Sequence, residues 1–257
     1  PTKSNCGREK TDKLSFISSS LGDIHMAKSD LNLSRRVNFA ETVDILLNSG
    51  ENSVHLTGEP GVGKTAMHKE IIARTGYRGV YIDGPNTDVG LSGMPIPNHE
   101  TRTLDFYPAG SYGLHLNEPV VIMIDEWTKT DDYVRNTLHP LLHERRLGEF
   151  NLHPDSIVFT TGNMDADGVG DSSKAHTRNR QTWLTYMKPT AKEWCAWANN
   201  AGIAPEVIAW VHEYEHCMAS YMDGGQDKNP YIFNPNDASQ TAFVSPRSLA
   251  KASHWVG

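Results

Sequence analysis

Gly58-Glu59-Pro60-Gly61-Val62-Gly63-Lys64-Thr65 lies between the short run Ser53-Val54-His55-Leu56-Thr57 and a helical pattern that reaches about Arg74. The order strand, glycine turn, helix gives this octet a meaning its spelling alone would lack. Glycines let successive backbone N–H groups converge on phosphate oxygens, and the helix N-terminus adds partial positive charge there. Lys64 can reach the outer phosphates of a nucleoside triphosphate, and the Thr65 hydroxyl can ligate Mg2+. Gly58 through Thr65, with Ala66 behind them, form the candidate nucleotide-binding loop.

Such a site needs acids at the end of a neighbouring buried strand. Val120-Val121-Ile122-Met123-Ile124 is an uninterrupted apolar run, the mark of a strand covered on both faces, and Asp125-Glu126 follows it directly. Asp125 is placed to hold the Mg2+ shell, and Glu126 to orient and deprotonate an attacking water. Two adjacent acids suit hydrolysis better than transfer to a bound hydroxyl.

Other segments extend the same pattern. A helix is expected from around Leu33 through Phe39, Val43 and Leu47, stopping at Asn48-Ser49-Gly50. Strands are expected over 79–83 and 157–161, and a helix from about Asp131 to Glu144. Residues 84–118, rich in Gly, Pro and Asn, read mostly as loops. Strands separated by helices imply right-handed crossovers and a parallel sheet. After Pro189 the pattern turns helical and Trp-rich, with Trp194, Trp197 and Trp210. The expected division is a polar arm over 1–30, an α/β core over 31–188 and a helical lid over 189–257.

Composition narrows the class. The 257 residues carry 24 Lys plus Arg against 31 Asp plus Glu, a net charge of −7, which argues against a broad basic surface for nucleic acid. No stretch approaches the roughly 20 apolar residues of a membrane helix. The opening PTKSNCGREKTDK lacks an apolar core, so no secretory signal is expected. Cys6, Cys195 and Cys217 are odd in number and widely spaced, which fits a reducing cytosol better than a disulfide framework. A cytoplasmic protein is expected.

With GEPGVGKT at 58–65, VVIMIDEW at 120–127, IVFTTGN at 157–163 and SPRS at 245–248, the sequence resembles the AAA+ ATPases, and within them the MoxR-like group. LSGMP at 91–95 and RRLGEF at 145–150 add to the likeness. AHTRNR at 175–180 and KEWCAWA at 192–198 are similar to a bacterial and phage subgroup. The resemblance runs from about Ser34 to the last residues. It implies a P-loop core with a central parallel sheet flanked by helices, plus a small C-terminal helical lid. It also implies Mg2+-dependent ATP hydrolysis.

The resemblance assigns further roles. Asn163 matches the sensor-1 position, where it would help place the lytic water. Arg180 sits where these proteins carry an arginine finger acting on the neighbouring subunit's ATP, with Arg178 as the competitor. Arg247 matches sensor 2, reaching the nucleotide from the lid. A finger acting in trans implies a ring, a hexamer being the expected size. The implied activity is remodelling or chaperoning of a protein partner, which in this group is often a von Willebrand factor A domain protein. Leu91, Met94 and Phe106 lie in the region from which pore loops come, and ordinary packing against the core is an equal alternative.

Two other readings compete. A DNA-directed AAA+ ATPase, a loader or helicase-like factor, is disfavoured by the acidic balance. The third arises from His212-Glu213-Tyr214-Glu215-His216, which spells HExxH, a zinc-protease helix motif in which Glu213 would be the base. It precedes Arg247, and its third ligand is unplaced, with His254 and Glu215 as candidates. The apolar face set by Val207, Ile208, Val211, Tyr214 and Met218 does not use the histidines, so a solvated face is the favoured reading.

Overall fold

The computed structural model describes residues 35–88, 90, 93–164 and 181–256. Its elements run β1 (Arg35–Val37), α1 (Phe39–Leu47), β2 (Val54–Gly58), α2 (Lys64–Thr75), β3 (Arg78–Asp83), β4 (Gly93–Asn98) and β5 (Thr103–Pro108). Then follow β6 (Val120–Asp125), α3 (Asp132–His143), β7 (Arg146–Leu147), β8 (Phe150–Asn151), β9 (Ile157–Gly162) and β10 (Thr182–Tyr186). Helices α4 (Ala191–Asn200), α5 (Pro205–Glu213) and α6 (Pro246–Val256) complete the order.

Six strands form one sheet in the order β1-β10-β2-β9-β6-β3, and every pairing in it is parallel. Strand β6 shows why the apolar run needed no polar face. Val120, Ile122 and Ile124 point into a layer shared with Val134, Leu138, Leu141 and Leu142 of α3. Val121 and Met123 point the other way, among Val43 and Leu46 of α1 and Met67 and Ile71 of α2. These five apolar residues of β6 are at most 1% exposed. Each such side chain contributes roughly 1.5–3 kcal/mol on burial, so this strand anchors both layers. A third apolar cluster joins α4, α5 and α6 through Trp194, Ala198, Val211 and Leu249.

Two local differences from the sequence-based expectations have physical causes, and a segment given no expected structure forms a hairpin. Helix α1 starts at Phe39, because Asn38 caps it: the Asn38 side chain accepts from the Glu41 N–H while Glu41 reaches back to the Asn38 N–H. The residues before this cap are extended, and β1 pairs with β10. The segment 84–118 is not loop throughout, since β4 and β5 pair as an antiparallel ribbon, Gly93 facing Pro108 through Asn98 facing Thr103. Pro95 and Pro97 stand two apart, so both nitrogens fall on the same side of the strand, and on the outer side of a ribbon a missing N–H removes no ladder bond. Finally, RRLGEF forms a tight hairpin, β7 with β8, turned through Gly148 at φ 58°.

Helix α2 ends at Gly76, whose left-handed backbone (φ 72°) lets its N–H reach the Ile72 carbonyl at 2.8 Å. The sheet has its change of direction at β2. The connection leaving β2 leads away to β3 at one edge, whereas β9 connects to β10 on the other side of β2. In open parallel sheets, the crevice beyond the strand carboxyl ends at such a reversal is where ligands bind.

Candidate active site

The carboxyl ends of β2, β6 and β9 converge on that crevice. Gly61 and Gly63 of the loop after β2 have φ of 75° and 103°, conformations that side-chain-bearing residues rarely adopt. Gly61 also has no room for a side chain, because a Cβ would stand 2.7 Å from the Ser245 Oγ. Gly63 caps α2 without any side-chain hydrogen bond to the first turn. An uncapped helix start of this kind is electrostatically suited to an anion. The Ala66 N–H donates to the Gly63 carbonyl at 2.9 Å.

Lys64 Nζ donates to the carbonyls of Gly58 (2.6 Å) and Glu59 (3.0 Å) and to Asn163 Oδ1 (3.0 Å). The ammonium thus spans the loop and meets the residue just after β9, a partner 99 positions away. The oxygens that gather around it are the kind of environment that phosphate oxygens replace.

Thr65 Oγ1 faces Asp125 Oδ2 at 3.5 Å. Adjacent ligands on an octahedral Mg2+ with bonds of 2.0–2.1 Å lie roughly 2.9 Å apart, so a hydroxyl and a carboxylate oxygen, the donors this cation takes, would have to close by about 0.6 Å to share it. Thr65 and Asp125 are the residues that would hold Mg2+, which when bound neutralises charge on the phosphates. His68 ties α2 to β6, its Nε2–H donating to the Val121 carbonyl at 3.0 Å. Burial lowers the His68 pKa, which favours the neutral imidazole, while the bond to Val121 opposes that shift.

Asp125 is held from several sides. Thr161 Oγ1 donates to Asp125 Oδ1, and the Glu126 N–H reaches Asp125 Oδ1 (3.1 Å) and Thr161 Oγ1 (3.3 Å). The Tyr81 hydroxyl donates to Asp125 Oδ2 at 2.9 Å. Partial burial, and after it the bond to Asp125, keeps the Tyr81 phenol protonated well above its ordinary range. Glu126 has φ 50°, and its carboxylate pairs with Lys129 at 2.6 Å. Both partners are partly exposed, so the pair contributes about 0–1 kcal/mol and is easily exchanged for water.

The remaining candidates divide. Arg247 donates its backbone N–H to the Gly61 carbonyl at 3.1 Å, so the start of α6 abuts the phosphate loop. Val62 is buried under the loop at 3% exposure, and Pro60 is half-buried. Glu59 is 2% exposed; its carboxylate accepts from Ser220 Oγ and its carbonyl accepts from Lys64 Nζ. Lys188 lies nearby, its ammonium donating to the carbonyls of Cys217, Ala219 and Val244, each at 3.1 Å. Burial lowers the Lys188 pKa, and Glu59 opposes that shift. Arg178, Arg180 and Leu91 lie outside the described residues.

Phe106 packs against the core and against Gly93 and Gly148, whereas Met94 is 58% exposed. HEYEH does not occupy one helix. α5 ends at Glu213, Tyr214 leaves helical geometry, and His216 belongs to a separate 3-10 turn. The i, i+4 face that would bring both imidazoles to one ion is therefore not built. Cys195 and Cys217 are buried, and burial raises both thiol pKa values. No helix among the described residues is long and apolar enough to cross a membrane.

Tyr81, Thr161 and Lys129 escaped the sequence reading. Thr161 could have been found from register, since Ile124 pairs with Thr160 and the next step sets Asp125 beside Thr161.

Replacing Lys64 with alanine removes charged hydrogen bonds of about 1.5–3 kcal/mol each, so ATP affinity is expected to fall about tenfold or more. Equilibrium titration with a fluorescent ATP analogue measures this. Unaltered affinity would count against the phosphate cradle.

Comparison with known proteins agrees with this geometry. Residues 53–161 match the AAA domain (dynein-related subfamily). No curated protein matches the sequence. Among solved structures, the RuvB Holliday junction branch migration motor of Thermotoga maritima aligns with 16% identity and a TM-score of 0.41 over 64% of this chain. The chain spans about half the length of that structure, 51%. The sheet and its phosphate loop have the AAA+ P-loop NTPase fold, and the AAA-domain match over 53–161 indicates an ATPase.

Proposed function

We propose that this chain hydrolyses ATP with Mg2+ as a MoxR-like ring, expected to be a hexamer, and uses the cycle to remodel a protein partner in the cytoplasm. In this reading residues 31–188 are the ATPase core and 189–257 the lid. The observation that carries the hydrolytic part is the convergence of Lys64, Thr65, Asp125 and Asn163 from two strand ends and one helix start. Lys64 binds the outer phosphates, Asn163 and Glu126 flank the space where a water would attack, and Glu126 takes its proton. Arg180, or Arg178 in its place, comes from the neighbouring subunit and stabilises charge on the γ-phosphoryl group.

The partner is a protein, for which a von Willebrand factor A domain protein is the expected type. The resemblance of the 91–95, 145–150 and 245–248 segments supports this part. The test couples assembly to activity. ATP turnover per subunit is expected to rise with protein concentration in step with the ring fraction measured by sedimentation. Turnover per subunit that stays flat while rings form would contradict an interfacial site. Strong stimulation by DNA that fades with added salt would instead favour the DNA-directed alternative.

A further inference from the structure

Asp125 ends β6 with two carboxylate oxygens in different surroundings. Oδ1 is turned into the sheet, bonded by Thr161 Oγ1 and by the Glu126 N–H. Oδ2 is the oxygen that faces Thr65 Oγ1, at 3.5 Å, and it accepts a shorter bond from the Tyr81 hydroxyl, at 2.9 Å. The register explains the reach. Tyr81 on β3 sits opposite Met123, so it projects from the same face as Asp125, one strand over and two residues back. A phenol is long enough to cover that diagonal, and its O–H can point forward to the carboxylate.

A carboxylate held by one oxygen can still rock about its Cβ–Cγ bond, and rocking displaces the outer oxygen. We propose that Tyr81 is a positioning residue for the cation at this site: it holds Asp125 Oδ2 toward Thr65, so that the carboxylate meets Mg2+ with little rearrangement. This rests on the reading of Asp125 as the metal-side carboxylate. Tyr81 is 48% exposed, so removing its hydroxyl costs little packing. Groups that orient a metal ligand in this way typically account for 10–100-fold in metal affinity or activity.

The experiment compares the wild type, Tyr81→Phe and Asp125→Asn in binding a nonhydrolysable ATP analogue by titration calorimetry. Each is measured in EDTA and again across a Mg2+ series, alongside thermal unfolding. Tyr81→Phe is expected to raise the half-saturating Mg2+ concentration about tenfold. Its affinity in EDTA and its Tm are expected to match the wild type, a split that a merely structural role would not produce. Bound Mn2+ followed by electron paramagnetic resonance should show the same weakening. An unchanged Mg2+ requirement in Tyr81→Phe, or an equal loss with and without metal, overturns the assignment. If Asp125→Asn keeps the wild-type Mg2+ requirement, the reading of Asp125 itself fails, and the role of Tyr81 falls with it.

Discussion

Glu126→Gln is expected to leave ATP bound while lowering its turnover by about 10²–10⁴-fold, the range that a positioned general base contributes. Glutamine matches glutamate in shape, so the turn after β6 should survive: its backbone N–H would keep its bonds to Asp125 and Thr161. What the amide lacks is the capacity to accept a proton from water. The substitution also removes the ion pair with Lys129, but that pair is worth at most about 1 kcal/mol, or roughly a fivefold change. An effect of a hundredfold or more therefore cannot come from the lost pair. Steady-state phosphate release, measured together with ATP affinity, separates the two contributions. Turnover equal to the wild type would remove Glu126 from the mechanism.

The second large effect is expected at the subunit boundary. An arginine delivered to the γ-phosphoryl group is worth about 10³–10⁵ in rate, so Arg180→Ala should bind ATP normally and hydrolyse it at a small fraction of the wild-type rate. A loss confined to turnover fits a group that acts on charge developing in the transition state. The trans arrangement makes a sharper demand. Mixing Arg180→Ala with Glu126→Gln protein should restore measurable hydrolysis, because each subunit supplies what its neighbour lacks. If Arg178→Ala shows this behaviour and Arg180→Ala does not, the finger is Arg178. Absence of any rescue in mixed rings would contradict an arginine acting between subunits.

Much of the sheet was legible because its chemistry is local. An apolar run such as 120–124 can be satisfied only by cover on both faces, and GEPGVGKT specifies its own backbone through Gly61 and Gly63. Strands β1 and β10 were not legible for the opposite reason. β1 is three residues long with only Val37 buried, and its partner lies far along the chain. The β4–β5 ribbon was hidden by Pro95 and Pro97, which signal loop in one dimension and are harmless on an outer edge in three.

The candidate site divides along the same line. Lys64, Thr65, Asp125 and Asn163 could be named from motif and order, whereas Tyr81 required knowing that β3 lies beside β6 and in which register. Glu59 belongs to the phosphate loop by motif, but the direction of its side chain could not be read there. Its carboxylate meets Ser220, 161 positions away, a contact no local pattern encodes. The HEYEH motif failed as a metal helix because helix α5 ends at Glu213. Spacing counts as geometry only while the helix continues.

Soaking the protein with a nonhydrolysable ATP analogue and Mg2+ and determining the complex by crystallography tests the phosphate site most directly. The β- and γ-phosphates should lie over Gly61 and Gly63 with Lys64 Nζ against them, and the cation should sit between Thr65 Oγ1 and the Asp125 carboxylate. An analogue bound elsewhere, or one whose terminal phosphate lies away from Lys64, Asp125 and Glu126, would contradict the account.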